Sequence, residues 1–361
     1  MNFTVLCFQV YDPLDNQLPY YNSVKYFLTL LRNLGSKMAG MLIKPANLFL
    51  AGYSYLKSTL SGNAFVSGMP VSIGIELTNH CNLQCPECLS GSGVMTRKRG
   101  FMEIDIFDKL ITELQPFLFN INLYFQGESM LHPYFFSFLS RTLNTHTVVS
   151  TNGHYLSEEN SELLVKSGLN KLIVSLDGMD QETYSAYRKN GKFDTVISGI
   201  RNISAAKKKH RSPLHLEIQF LINSCNEHQI PDIKQFAHEV KASLKLKSMQ
   251  VLNKANIVHW LPRKSKFRRY ENKNGEFEIK NNLPDRCMRL WFNPVVTWDG
   301  KVVPCCFDKD AEHIMGDLAQ DSFREIWDGP KYRVFRKRIL SGRHMIEICG
   351  NCTSGLKGVR Y

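Results

Sequence analysis

Three thiols crowd one short stretch of this 361-residue chain: Cys81, Cys85 and Cys88, spaced Cys-x3-Cys-x2-Cys within Glu76-Leu77-Thr78-Asn79-His80-Cys81-Asn82-Leu83-Gln84-Cys85-Pro86-Glu87-Cys88. Thiolates this close suit a soft metal centre. A structural zinc site closes with four ligands. A [4Fe–4S] cubane on three cysteines instead keeps one iron free for a substrate or cofactor. Three ligands therefore point to chemistry, with a zinc knuckle completed by a distant fourth ligand as the alternative. A second set lies towards the C-terminus: Cys287, Cys305, Cys306, Cys349 and Cys352. Between the first two, Trp298-Asp299-Gly300 is a turn signal flanked by Val295-Val296 and Val302-Val303, so a hairpin presents Cys305 near Cys287. A helix from about Ser322 to Leu340 leads back to Cys349-Gly350-Asn351-Cys352. Cys287, Cys305, Cys349 and Cys352 would close a site completely, and zinc also fits four thiolates. Cys306 is the spare, expected as a buried small apolar residue.

The elements that must hold these thiols alternate strand and helix from Val71 onward, which predicts parallel βα units. The first strand, Val71-Ser72-Ile73-Gly74-Ile75, runs into the cysteine loop. Ile104, Phe107, Leu110, Ile111 and Leu114 recur at helical spacing. Further strands are expected at Phe119–Phe125, around Val148-Val149, at Leu172–Leu176, Leu214–Phe220 and about Leu244–Val251. In the fifth, His215, Glu217 and Gln219 share one face, which lines a barrel cavity or faces solvent at an edge. Six units suggest an α/β fold with a partial (β/α)6 barrel, whose chemistry sits at the C-terminal strand ends. The expected division is an N-terminal helical region (1–70), a core (71–262), a charged, Gly/Asn-rich linker (263–284) and a small C-terminal domain (285–361).

At the first thiol set the chain resembles the radical S-adenosylmethionine (SAM) enzymes. That resemblance implies that SAM chelates the open iron and is cleaved reductively to a 5′-deoxyadenosyl radical, which abstracts hydrogen from a substrate. Gln126-Gly127-Glu128-Ser129 is similar to the family's Gly-Gly-Glu-Pro motif, with Gly127 and Glu128 expected at the SAM amino group; Gln126 and Ser129 depart from it. Met130-Leu131-His132-Pro133, the strand-end loops Ser150–Gly153 and Ser175–Gly178, and the stretch around Glu182-Thr183-Tyr184, Arg188 and Gly191–Asp194 are also family-like. They add Asn152, Ser175, Asp177 and Arg188 as expected SAM contacts, and Asn223, Asn226 and Glu227 near adenosine; no catalytic residue is assigned. Glu87 stands where the family often has an aromatic residue. The second thiol set resembles the SPASM/twitch extension, implying one auxiliary [4Fe–4S] cluster on Cys287, Cys305, Cys349 and Cys352. The expected substrate is a peptide or protein, or alternatively a sugar or aminocyclitol alcohol. The expected electron donor is of flavodoxin or ferredoxin type.

With 45 Lys and Arg against 33 Asp and Glu, the net charge is +12. That excess suits nucleic acid, an acidic peptide or anionic lipid, and a zinc-bound nucleic-acid-binding protein is the non-enzymatic alternative. No RNA-binding motif accompanies the charge, which favours a solvated basic surface. Ten cysteines in clusters do not read as a secreted disulfide scaffold. With no signal-peptide pattern and no bilayer-length apolar run, a reducing cytoplasm is expected. In the first region, Tyr21–Leu34 carries Val24, Phe27, Leu28, Leu30 and Leu31 at near-helical spacing, and a second helix is expected from Met38 to Leu60, broken near Pro45. Lys25, Arg32, Lys37, Lys44 and Lys57 interleave with large apolar residues. Three readings are open: helices packed on the barrel, a grip for a substrate peptide, or peripheral membrane contact.

Overall fold

The computed structural model describes residues 36–280 and 283–352, so the expected helix over Tyr21–Leu34 lies outside the described residues. Six parallel strands form the core: β1 (Ser72–Ile75), β2 (Asn120–Asn122), β3 (His146–Thr151), β4 (Lys171–Ser175), β5 (His215–Ile222) and β6 (Ser243–Ser248). The helices, in chain order, are α1 (Ser36–Ser61), α2 (Leu89–Ser92), α3 (Ile104–Leu114), α4 (Phe135–Ser140), α5 (Glu158–Lys166), α6 (Gln181–Tyr187), α7 (Phe193–Lys209), α8 (Ile230–Glu239), α9 (Ile257–Trp260), α10 (Arg289–Phe292), α11 (Phe323–Trp327), α12 (Pro330–Gly342) and α13 (Glu347–Gly350). This is the expected partial (β/α)6 barrel. In α3 the 3.6-residue repeat puts Phe107, Leu110, Ile111 and Leu114 on one buried face, each side chain contributing about 1.5–3 kcal/mol by leaving water. On β5, Leu216, Ile218, Phe220 and Ile222 join the same core. Glu217 on the other face is buried, bonded to Lys171 on β4 at 2.6 Å and to Gln219 at 2.7 Å. Since β5 lies between β4 and β6, that polar face belongs to the barrel interior and not to an edge.

The C-terminal hairpin extends this sheet. β9 (Val295–Val296) pairs parallel with β1, with Gly74 opposite Val295; β10 (Lys301–Val303) pairs antiparallel with β9, and β11 (Gly316–Asp317) with β10. The strand that leads to the first thiol set therefore neighbours the strand between Cys287 and Cys305. The indole N–H groups of Trp291 and Trp327 donate to the carbonyls of Phe65 and Gly68 (2.9 Å each), strapping the connector after α1 to the same domain.

Three local expectations need correction. α1 continues through Pro45: proline costs a helix one hydrogen bond, but packing of the following turns against the Phe65–Met69 connector holds it together. The expected linker 263–284 contains a β-hairpin, β7 (Tyr270–Lys273) with β8 (Glu276–Ile279). Its turn is Asn274-Gly275, at φ 53° and 92°, the residue pair that a type I′ turn favours. The helix expected over Ser322–Leu340 is two helices, α11 and α12, because Pro330 starts a new one after Gly329. A Ser322/Glu325 capping box fixes the start of α11.

Candidate active site

The cysteine loop is held by residues from every neighbouring strand end. Gly127, after β2, has φ 74°, and a Cβ there would lie 2.5 Å from the carbonyl oxygen of Thr78 and 2.6 Å from that of His80. Only glycine permits that approach. Its N–H donates to Ser90 Oγ, and Glu128 N–H donates to His80 O (2.8 Å). Glu128 is buried; one carboxylate oxygen accepts from Met130 N–H (3.2 Å) and the other from Asn152 N–H (2.7 Å). Burial raises its carboxyl above the usual carboxylate range, and those amides oppose the rise only in part. Asn152, after β3, donates to Asn82 Oδ1 (2.8 Å) inside the loop.

Asp177, after β4, is buried with both oxygens engaged, by Leu221 N–H (2.6 Å) and by Arg188 Nε (2.6 Å). Arg188 then points an Nη at Cys85 Sγ (3.9 Å). Five of the six residues expected at SAM thus converge on the loop: Gly127, Glu128 and Asn152 from one side, Asp177 and Arg188 from the other. Ser175 shares the β4 face but has no side-chain partner among the described residues. Asn223, Asn226 and Glu227 form a buried turn, in which Asn226 Nδ2 donates to Asp177 O (3.0 Å). A cavity of about 580 Å³ opens beside Cys81, Ser90 and Arg99.

Burial pushes the Cys81 thiol up to about 12, and the neighbouring Glu128, Cys88 and Cys85 push the same way. Cys85 is raised by burial too, with Arg188 opposing. A metal centre must displace these protons, and Arg188 is the cation in place to stabilise the resulting thiolate.

The second thiol set is buried: Cys287, Cys305, Cys349 and Cys352 are 3–7% exposed. Burial raises Cys305, and Cys306, Cys287 and Cys352 reinforce the rise; Cys349 is raised by burial to about 11 with Arg343 opposing. Arg343 donates to Cys352 Sγ (3.4 Å), and Arg289 to Cys306 Sγ (3.4 Å). Cys306 is half-buried and bonded to an arginine, which corrects its expected role as an apolar filler. Among the described residues no three Cys, His, Asp or Glu side chains are gathered tightly enough for a single metal ion. By donor chemistry the two sets, three thiols in one loop and four buried thiols towards the C-terminus, fit iron–sulfur clusters.

The two sets are coupled. Arg97, nine residues past Cys88, makes a bidentate pair with buried Glu76 (2.6 Å for both bonds) and donates to Lys309 O (3.2 Å). Thr96 donates to Asp310 through its amide (3.0 Å) and its hydroxyl (2.7 Å). Trp298 of the hairpin donates its amide to Glu76 (3.2 Å). The Lys309 ammonium, lowered by burial, is raised by Cys88 from one set and by Cys306 from the other. Sequence reasoning missed Glu76, Arg97, Arg289, Lys309 and Arg343; the only local hint was a carboxylate immediately ahead of the cysteine loop. It also left Glu87 without a role. Glu87 is buried and accepts from Leu252 N–H (2.7 Å), Asn256 Nδ2 (2.8 Å) and Trp260 Nε1 (3.1 Å), clamping the segment after β6 over the loop. Glu87→Ala is expected to leave those donors unpaired, lowering stability by about 1–3 kcal/mol. The Trp260 emission should shift to the red as the segment loosens; unchanged fluorescence and melting would remove the clamp.

Two family models match the chain: the Radical SAM superfamily over residues 75–219, and the SPASM iron–sulfur cluster-binding domain over residues 287–353. The mycofactocin maturase MftC of Mycobacterium tuberculosis is 30% identical over 183 residues, 49% of this chain and 44% of the relative, so the match spans less than half of that protein. The S-adenosyl-L-methionine-dependent 2-deoxy-scyllo-inosamine dehydrogenase of Niallia circulans is 24% identical over 290 residues, 78% of this chain and 92% of the relative. Among solved structures, Streptococcus suis SuiB bound to precursor peptide SuiA has the same fold at a TM-score of 0.60 and 12% identity, over 98% of this chain and 81% of that one. The chain carries a radical SAM domain and, C-terminal to it, a SPASM iron–sulfur cluster-binding domain.

Proposed function

We propose that this protein is a radical SAM oxidoreductase that oxidatively modifies a peptide or protein. The observation that carries the reading is the single scaffold under both thiol sets: β1 and β9 are paired neighbours, the loops beyond them are stapled through Glu76, Arg97 and Asp310, and Lys309 lies under the influence of both sets. When bound, a cluster on Cys81, Cys85 and Cys88 supplies one-electron cleavage of SAM, and a cluster on Cys287, Cys305, Cys349 and Cys352 supplies an acceptor for the electron left on the oxidised substrate. The chain's own residues orient and shield. Glu128 and Asn152 hold the loop from one side, the Asp177–Arg188 pair holds Cys85 from the other, and Glu217, Gln219 and Lys247 face the barrel interior where a substrate would lie. The electron donor is proposed to be of flavodoxin or ferredoxin type.

A peptide substrate draws support from the mycofactocin maturase and from SuiB, whose structure was determined with its precursor peptide. The second reading, dehydrogenation of a small-molecule alcohol, is favoured by the match to nearly the whole inosamine dehydrogenase. Coexpression with short open reading frames that neighbour the gene tests the first: loss of two hydrogens from such a peptide, read by mass spectrometry, is expected. Turnover of an aminocyclitol with no change in any peptide would establish the second instead. At the cofactor site, Glu128→Ala removes a buried carboxylate whose charge-assisted bonds are each worth about 1.5–3 kcal/mol. SAM affinity should fall roughly ten- to a hundredfold. An unchanged dissociation constant, measured calorimetrically, would exclude Glu128.

A further inference from the structure

α1 is built inside out. The side turned to the protein carries Asn47, Ala51, Ser54 and Ser58, none more than 4% exposed. Its polar groups are used there: Asn47 bonds the Met69 carbonyl (3.0 Å) and amide (2.8 Å), Ser54 accepts from Ser67 N–H and Ser58 from Phe65 N–H (2.9 Å each). The opposite side carries Leu42, Phe49, Tyr53, Leu56 and Leu60, with exposures of 47, 73, 37, 57 and 79%. At 3.6 residues per turn these five fall within a stripe about 60° wide. A helix ordinarily turns its apolar stripe to the core, and an exposed contiguous one marks a surface that something covers.

Charge identifies what covers it. Between Asn16 and Ile75 there is no Asp or Glu, in a chain that has 33 of them, while the same stretch carries Lys25, Arg32, Lys37, Lys44 and Lys57. The Lys57 ammonium lies 4.0 Å above the Phe65 ring, beside the stripe. No described helix is long and apolar enough to cross a membrane. We propose that α1 lies flat in the interface of an anionic lipid bilayer, with the Leu42–Leu60 stripe among the acyl chains and Lys57 beside it at the headgroups, while Lys44 turns to the Asn144 carbonyl (3.3 Å) on the inward side. Large apolar side chains accompanied only by cations are the complement of that boundary. A neutral protein partner would bury the stripe equally well but gives no reason for a stretch without carboxylates.

The test uses the full-length protein in vesicle flotation. It should float with phosphatidylcholine vesicles containing phosphatidylglycerol and bind pure phosphatidylcholine roughly tenfold more weakly, since the lysines lose their counterpart. The triple variant Phe49→Ser/Leu56→Ser/Leu60→Ser changes only exposed positions, so circular dichroism and cluster absorbance should be kept while binding to the anionic vesicles falls at least about tenfold. Hydrogen exchange of the α1 amides should slow only when anionic vesicles are added. Flotation with neither vesicle overturns the proposal. So does an α1 already protected without vesicles, which would mean that residues 1–35 cover the stripe. A parent dimer that the triple variant converts to monomer, without lipid binding, would assign the stripe to a second copy.

Discussion

Replacing Cys81, Cys85 and Cys88 together by Ala is expected to abolish 5′-deoxyadenosine formation from SAM and dithionite while leaving about half the iron, a fall from about eight to about four atoms per chain if each set holds one cubane. The loss should be complete. Three ligands are the fewest that hold a cubane and still leave an iron open. The fold should survive, because the loop is fixed independently by Asn152 to Asn82, Glu128 to His80 and Gly127 against Thr78. Iron analysis, circular dichroism and chromatography of the nucleoside read this out together. A triple variant that still forms 5′-deoxyadenosine would place the radical chemistry elsewhere.

Replacing Cys349 and Cys352 by Ala attacks the other set, and its expected signature is different. Iron should again fall by about half, but here stability falls too. Cys349 lies in the short α13 and Cys352 just past it, tied to the rest by Arg343, which bonds Cys352 Sγ and the Arg286 carbonyl (2.8 Å), and by Asn351, which donates to the Val251 carbonyl (2.8 Å) and accepts from the Tyr270 hydroxyl (2.7 Å). Metal binding in such a small domain is part of its folding free energy. SAM cleavage without substrate conversion should persist, because it needs only the first set; substrate oxidation should stop. Mössbauer and EPR spectra of the two variants, compared with the parent, should resolve two distinct [4Fe–4S] centres. A parent protein holding one cluster, with zinc at the C-terminal thiols, would remove the electron-acceptor role, since zinc has no redox chemistry.

The exposed apolar stripe of α1 and the two thiol sets differ in how they could be read. Thiol spacing is local: Cys81, Cys85 and Cys88 lie within one loop, and the strand before them declares itself through Ile73 and Ile75. The βα alternation was legible for the same reason, because apolar residues at spacing two or three to four report which face of an element meets the core. The turn Asp299-Gly300 announced its hairpin. The Asn274-Gly275 hairpin was equally local, and the charged residues around it masked it as a linker.

The radical SAM and SPASM domains, the two groups of thiols and the parallel βα units could be read from local spacing and motif. What the residues around the cysteine loop touch depends on the fold. Glu76 and Arg97 are ordinary charges until β9 adds to β1 and buries them together; Glu87 looks like a defect in a motif until Trp260 and Asn256 arrive on it. Arg188 could have met SAM, solvent or a carboxylate, and it meets Asp177 and Cys85. The apolar stripe of α1 reads as a core face from its periodicity, yet Asn47, Ser54 and Ser58 take the inward side because the connector at Phe65–Met69 offers backbone groups that need partners. Periodicity reports that a face is apolar; which side of it is buried depends on groups brought close by the fold, many of them more than a hundred positions away in the chain.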